Sequence, residues 1–252
     1  MQGMGVSLFV AMQSNSLFWW LQRCHQCYSC RIVTTGYALR GAQKYLRVEY
    51  REPTYDNLKL IGVITMRVGL ISDTHNPSVG DEPPPEVVAA FRGVDVIIHA
   101  GDIYQPDCLD WLEKIAPVYA VELGAEAHFK EDDRVVDMAR VIELEGHRIG
   151  IIHDLLVPGM AQELTEFTPL SKHFPQDSSL STALENVFDA PVDIVIFGHT
   201  HYPVVEEYQG ILMVNPGSPS LPKQIRRLGQ VAIMELSADQ KGAEILNLSN
   251  FS

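Results

Sequence analysis

The sequence contains few cysteines and no long apolar run. Four cysteines in 252 residues are too few for a disulfide scaffold, so we expect a reducing compartment, the cytoplasm. No apolar run approaches the roughly 20 residues that a membrane-spanning helix requires. The short run from Ser16 to Leu21 lacks the basic residues before it and the small residues after it that mark a signal peptide. We therefore expect no membrane partner.

Basic residues are also scarce. The chain has 19 Lys and Arg against 32 Asp and Glu, which gives a formal net charge of −13. Residues 1–65 carry seven basic and three acidic side chains, a net charge of +4, which leaves −17 for residues 66–252. This charge would repel a nucleic-acid backbone, so we expect no nucleic-acid partner. An acidic body that had to bind an anion would need cations in its site.

Residues 1–65 differ from the rest of the chain. They show no sustained period of two or 3.6 residues. Cys24, Cys27 and Cys30 are spaced like the start of a zinc or iron–sulfur site, but no fourth cysteine follows at a usable distance. We interpret residues 1–65 as an appended segment that is poorly ordered or lies upstream of a native start at Met66. Residues 66–252 are predicted to form one domain.

Strands and helices alternate after Met66. Strands over 68–72, 94–99 and 117–121 and helices after Pro83 and over 106–115 give the order βαβαβ, which predicts parallel strands. The second half favours hairpins over 139–152, 204–214 and 230–248 and a strand over 192–197, with helices near 160–167 and over 180–188. Two mixed sheets with helices outside them would bury the apolar residues of both halves.

Candidate metal ligands follow four of the predicted strands. They are Asp73 and His75, Asp102, His153, and His199 with His201. In open α/β sheets, functional groups gather at the carboxyl ends of the strands, so these segments can share one crevice. Carboxylates and imidazoles without thiolates favour manganese, iron, zinc or nickel over a structural cysteine–zinc site. Taken one at a time, each residue also fits a turn-capping or packing role.

The histidine pair in Gly198-His199-Thr200-His201 carries the clearest signal. In an extended segment, residues i and i+2 point to the same side, so both imidazoles can converge on one site. Gly198 allows a sharp turn without a Cβ penalty. On their own, these histidines fit an unliganded loop equally well. Together with the other strand-end residues, they favour a metal site.

These motifs, in this order, resemble the calcineurin-like metallophosphoesterase superfamily. The resemblance rests on Asp73-x-His75, Gly101-Asp102, His153, Gly198-His199-Thr200-His201 and Asn215-Pro216-Gly217-Ser218. The small YfcE-type phosphodiesterases look most similar, because their chains also begin a few residues before the Asp-x-His motif. The resemblance covers most of residues 66–252. It implies an α/β fold, a four-layer sandwich in which two mixed β-sheets are flanked by α-helices.

The resemblance also implies a site with two divalent metal ions. Asp73, His75 and His201 would hold one ion, His153 and His199 the other, and Asp102 would bridge them. Manganese is the expected metal, with nickel, iron or zinc as alternatives. The implied enzyme is a phosphodiesterase or phosphatase that hydrolyses a small phosphate mono- or diester by a metal-activated water. No general acid and no catalytic residue beyond these ligands is assigned.

One position departs from the superfamily's pattern. A ligand asparagine is expected after Gly124, and this chain has Ala125, which cannot ligate. A one-residue shift would offer Glu126 as a tentative replacement. Loss of a ligand predicts weaker binding of the second ion. The alternative function is therefore a catalytically weakened fold used as a binding or scaffold protein. The sequence leaves the oligomeric state open, with a homo-oligomer among the options.

Overall fold

The structure of the protein, a computed structural model, describes residues 65–124, 129 and 131–252 and three strands nearer the N-terminus. The chain divides into two compact units, Met1–Val63 and Ile64–Ser252. In the first unit, β1 (Ser7–Ala11), β2 (Tyr37–Arg40) and β3 (Gln43–Glu49) form an antiparallel sheet with β3 in the middle. The predicted cysteine motif over 24–30 lies outside the described residues.

The larger sheet of the second unit has six strands. Four are parallel neighbours, β4 (Met66–Ile71), β5 (Val96–His99), β6 (Val118–Glu122) and β7 (Val135–Asp137). On the other side of β4 the sheet continues with the antiparallel hairpin of β13 (Gln230–Ser237) and β14 (Gln240–Asn247). The three parallel strands predicted from the sequence are confirmed. The short β7 was missed, because three residues are too few to show a period.

The smaller sheet has five strands. Its centre is parallel, with β10 (Ile194–Ile196) between β9 (His147–Ile152) and β12 (Ile211–Asn215). The edges are antiparallel, β8 (Ala139–Leu144) beside β9 and β11 (Val204–Tyr208) beside β12. Both predicted hairpins of this sheet are confirmed. The two turn residues between β8 and β9 both have a positive φ, which matches the right-handed twist of the two strands.

Short helices cover the outer face of each sheet. They are α1 (Glu86–Ala90), α2 (Pro106–Glu113), α3 (Leu170–His173) and α4 (Leu180–Phe188). Leu109 of α2 packs in the apolar cluster outside the larger sheet, and Leu184 of α4 packs in the cluster outside the smaller one. A third cluster lies between the sheets and includes Leu70 and Ile196. The predicted fold of two mixed sheets with flanking helices is confirmed.

The predicted helix over 160–167 is wrong. This stretch contains turns instead, and Thr168 ties it together through hydrogen bonds with Thr165 and the carbonyl oxygen of Glu163. The predicted helix over 180–188 is confirmed, with Ser179 Oγ accepting a hydrogen bond from the backbone N–H of Thr182 at 3.3 Å. Among the residues that the structure describes, none of the helices combines the length and the apolar character needed to cross a membrane.

Candidate metal centre

The strands bring the predicted site residues to one edge of the fold. Asp73 follows β4 and Asp102 follows β5, which are parallel neighbours in the larger sheet. His153 follows β9 and His199 follows β10, which are parallel neighbours in the smaller sheet. The two sheets meet where these strands end, because the backbone N–H of His199 donates to Asp73 Oδ1 at 2.9 Å and His153 Nδ1 donates to the carbonyl oxygen of Ala100 at 2.8 Å.

Four of the six predicted residues form a tight cluster. Asp73, His75, Asp102 and His201 each place one ligand atom within 4.8 Å of the others. His201 Nε2 lies 3.3 Å from Asp73 Oδ1, and His75 Nε2 lies 3.4 Å from Asp102 Oδ2. The two Nε2 atoms of His75 and His201 are 3.0 Å apart. Two carboxylates and two imidazoles thus converge on a volume of the size that one ion occupies.

The remaining two predicted residues adjoin this cluster on the Asp102 side. His153 Nε2 lies 3.5 Å from Asp102 Oδ1, the oxygen that does not face His75. The rings of His153 and His199 meet edge to face, with centroids 5.4 Å apart. Asp102 therefore lies between two groups of imidazoles and offers a different oxygen to each group.

Two carboxylates that sequence reasoning missed accompany His199. Asp154, Glu163 and His199 each offer a ligand atom within 4.8 Å of the others, and all three are exposed. His199 Nε2 lies 3.6 Å from Glu163 Oε1. Asp154 carried one sequence signal, because it directly follows His153 at the end of a strand. Glu163 carried none, since it lies in the stretch that was predicted as a helix.

Backbone carbonyls fix the orientation of two of the imidazoles. His153 Nδ1 donates to the carbonyl oxygen of Ala100 at 2.8 Å, and His201 Nδ1 donates to that of Leu221 at 2.8 Å. A carbonyl can only accept, so Nδ1 carries a proton in each ring. In the neutral ring the lone pair therefore lies on Nε2, which faces the carboxylates. This pattern is typical of histidines that bind metal ions.

Hydrogen bonds fix the position of Asp73 but do not involve both of its carboxylate oxygens. Its Oδ1 accepts a hydrogen bond from the backbone N–H of His199 at 2.9 Å, and its carbonyl oxygen accepts one from Ser218 Oγ at 2.7 Å. Its Oδ2 is buried and, among the described residues, has no hydrogen-bond partner. A Cβ at position 198 would lie 2.8 Å from Oδ2, which explains the glycine there. A buried carboxylate oxygen without a donor fits a site that is completed by a cation.

The backbone of the site is unusual. Five of the six predicted ligands have a positive φ, which non-glycine residues rarely adopt: 53° at Asp73, 52° at His75, 55° at Asp102, 70° at His199 and 58° at His201. Each such residue costs of the order of 1–3 kcal/mol unless its surroundings stabilise it, and residues of this kind cluster at functional sites.

Burial and charge oppose each other in the cluster. Burial raises the pKa of Asp102, but its hydrogen bond with His153 and the nearby imidazoles outweigh burial and hold that pKa below its usual value. Burial lowers the pKa of His153, but Asp102 and Asp73 outweigh burial and raise that pKa to about 9. Burial also lowers the pKa of His201, and Asp73 reverses the direction and raises it. The carboxylates therefore attract positive charge, whether protons or metal cations supply it.

A cleft of about 580 Å³ opens onto this centre. Its walls include Asp102, His153 and His199 together with Tyr104, Glu122 and Leu123. Glu122 is buried, accepts a hydrogen bond from the backbone N–H of Ile103 at 2.9 Å and has a pKa raised by burial. Ala125 and Glu126, the two positions that the sequence places at the missing asparagine, lie outside the described residues.

Comparisons with known proteins agree with this geometry. Residues 66–239 match the family model of the calcineurin-like phosphoesterase superfamily domain. A probable metallophosphoesterase from Methanothermobacter thermautotrophicus is 32% identical over 182 residues, which cover 72% of this chain and 92% of that protein. A probable metallophosphoesterase from Methanocaldococcus jannaschii is 33% identical over 177 residues, which cover 70% of this chain and 78% of that protein. The chain belongs to the calcineurin-like phosphoesterase superfamily, as the sequence motifs predicted.

A solved structure shows the same fold. Vacuolar Protein Sorting 29 from Cryptosporidium parvum superimposes with a TM-score of 0.52 at 19% identity, and the match covers 72% of this chain and 97% of that one. At this identity the likeness establishes the arrangement of the sheets and helices. The chemistry of the site has to be argued from the residues of this chain.

Proposed function

We propose that this protein is a divalent-metal-dependent phosphoesterase that hydrolyses a small phosphate mono- or diester with water. The observation that carries the proposal is the position of Asp102, whose Oδ2 faces His75 at 3.4 Å while its Oδ1 faces His153 at 3.5 Å. A carboxylate that offers one oxygen to each of two imidazole groups is suited to bridge two cations. Superfamily membership supports the same reading.

In this proposal Asp73, His75 and His201 hold one ion, His153 and His199 hold the other, and Asp102 contributes to both. The chemistry of the donors fits, because every one is a carboxylate or an imidazole, as borderline divalent metals prefer. Asp73 Oδ2, which has no hydrogen-bond partner among the described residues, offers a further lone pair to a cation. Asp154 and Glu163, beside His199, would supply oxygen ligands to the second ion in place of the asparagine that the sequence lacks at position 125.

Manganese is the metal we propose, with nickel, iron and zinc as alternatives. Bound divalent ions would acidify a coordinated water and neutralise charge on the phosphate. The residues of the chain position this chemistry, since Leu221 and Ala100 orient His201 and His153 through their carbonyl oxygens. A cleft of about 580 Å³ lies in the range of small-molecule sites, so the proposed substrate is a small ester.

A second function is a binding or scaffold protein with a weakened site. Ala125 favours it, because alanine stands where the superfamily pattern has a ligand. Metal content separates the two functions. We expect the purified protein to hold manganese after reconstitution and to hydrolyse bis-p-nitrophenyl phosphate. A protein that binds no divalent metal and hydrolyses no phosphate ester would support the scaffold.

Asp102→Asn and His199→Ala test the two-ion site directly. We expect each to lower kcat/KM by at least about 100-fold, because changes in residues that merely orient ligands already cost 10–100-fold. Asp189→Asn and His173→Ala are matched controls at exposed positions, one just after α4 and one at the end of α3. Asp189 has a φ of 53°, which asparagine also tolerates. Full activity in Asp102→Asn or His199→Ala would refute the two-ion assignment.

A further inference from the structure

We propose that Tyr104 is a substrate-binding residue whose phenolic O–H donates a hydrogen bond to a phosphoryl oxygen in the cleft. The inference rests on the proposed function, because it takes His75 as a metal ligand. It assigns a role to a residue that sequence motifs did not single out.

Tyr104 makes a close contact with His75. Its Oη lies 2.7 Å from His75 Nδ1, and the two rings meet edge to face with centroids 5.1 Å apart. This hydrogen bond can run in either direction, since a phenol can donate or accept and Nδ1 can carry a proton or a lone pair. The state of the other ring nitrogen, Nε2, decides the direction.

His75 Nε2 faces the cluster of candidate ligands, 3.4 Å from Asp102 Oδ2 and 3.0 Å from His201 Nε2. A nitrogen that ligates a cation must offer its lone pair, so the single proton of the neutral imidazole then lies on Nδ1. His75 Nδ1 therefore donates, and Tyr104 Oη accepts. The phenolic hydrogen of Tyr104 is left without an acceptor in this contact.

Among the described residues, none offers an acceptor for that hydrogen. In the described part of the chain, His75 Nδ1 is the only hydrogen-bond partner of Tyr104 Oη. Tyr104 is 39% exposed and lines the cleft together with Asp102, His153 and His199. A phosphate ester bound beside these residues would present anionic oxygens, which are strong acceptors. The free O–H is thus positioned in the cleft where a phosphoryl oxygen can accept it.

The backbone at Tyr104 supports a functional role. Its φ is 73°, a left-handed conformation that is costly for a bulky aromatic residue. The buried carboxylate of Glu122 holds this segment, because Glu122 accepts hydrogen bonds from the backbone N–H groups of Ile103, at 2.9 Å, and Tyr104. A strained residue that is fixed in place keeps its hydroxyl group at a defined position without further loss of conformational freedom.

The test compares wild type, Tyr104→Phe and a matched control, Tyr208→Phe, all loaded with manganese. Tyr208 lies on β11 and packs against Phe174, outside the cleft walls. Three quantities are measured: manganese content, the dissociation constant of inorganic phosphate, and kcat and KM for bis-p-nitrophenyl phosphate. In Tyr104→Phe we expect phosphate binding and kcat/KM to weaken by about 10–100-fold, the range for a hydrogen bond to a charged group, with manganese content retained.

Three outcomes would overturn the proposal. One is unchanged phosphate binding in Tyr104→Phe. Another is loss of manganese with a normal kcat/KM once the metal is restored, which would make Tyr104 only a positioning residue for His75. The third is an equal loss in Tyr208→Phe. If the wild-type protein binds phosphate but hydrolyses no ester, the proposed function is refuted and the role of Tyr104 is not. The phosphate affinities of the variants would still decide that role.

Discussion

His99 should make the protein sensitive to acid. It is the last residue of β5 and fully buried, and burial lowers its pKa to about 3. Its Nδ1 accepts a hydrogen bond from the backbone N–H of Gly101 at 3.2 Å, so the ring proton lies on Nε2, which donates to Thr74 Oγ1 at 3.0 Å. A second proton on Nδ1 would break the bond to Gly101 and bury a charge. The folded protein therefore resists protonation of His99.

The sign of the effect follows from this depressed pKa. In the unfolded chain His99 titrates near its usual pKa of 6.5, so between about pH 6.5 and pH 3 the unfolded state binds a proton that the folded state does not. The contribution to stability is present above that window and is lost as the pH falls. At about 1.4 kcal/mol per pKa unit, the loss between pH 7 and pH 5 is roughly 2 kcal/mol, and it approaches roughly 5 kcal/mol below pH 3.

Urea unfolding at pH 7 and pH 5 measures this loss, with chelator present so that metal binding does not contribute. The perturbation is His99→Gln, because glutamine can offer both a donor and an acceptor but does not titrate. We expect the unfolding free energy of wild type to fall by about 2 kcal/mol more than that of the variant. Other titrating groups are shared, so they largely cancel in this difference. An equal fall in both proteins would refute the reasoning. His173→Gln, at an exposed position, should match wild type.

Three further predictions follow from the geometry. Glu163→Gln and Asp154→Asn should weaken binding of the second manganese ion and spare the first, as measured by metal titration; unchanged binding would remove both from the ligand set. Gly101→Ala should lower the unfolding free energy by roughly 2–3 kcal/mol in urea, because a Cβ there lies 2.6 Å from the ring of His153 and φ is 93°. Leu184→Ala, at a fully buried position, should lower it by about 2–5 kcal/mol, and a smaller loss would show that the site collapses around the deletion.

The sequence was most informative where local pattern determines structure. Apolar runs separated by turn residues predicted the parallel strands, and Asp73, Asp102, His153 and His199 stood out because each follows such a run. Parallel strands place their carboxyl ends together, so proximity could be inferred without knowing the packing. The structure brings these residues together, and their role as metal ligands stays a prediction.

The sequence was least informative where packing between distant segments decides the outcome. Glu163 reaches His199 through a loop held by Thr168, where the sequence predicted a helix instead. Tyr104 meets His75 across 29 residues, a contact that no local rule predicts. The left-handed backbone of the site was also out of reach, because intrinsic propensities disfavour it in non-glycine residues and only the surrounding hydrogen bonds stabilise it.

The conformational cost of the site argues for a cation. Asp73 is fully buried, and its Oδ2 has no hydrogen-bond partner in the described part of the chain, which costs about 1–3 kcal/mol or more for a charged group. Five left-handed residues add a cost of similar size each. A turn at the end of a strand needs neither an unpaired buried carboxylate nor left-handed Asp and His residues for its structure. Glycine or asparagine adopts the same backbone conformation with little strain. Ions that bind the folded state alone would offset the cost, because ligand binding stabilises the state that binds it. A fold that serves only as a surface for partners gains nothing from facing imidazoles such as those of His75 and His201, 3.0 Å apart.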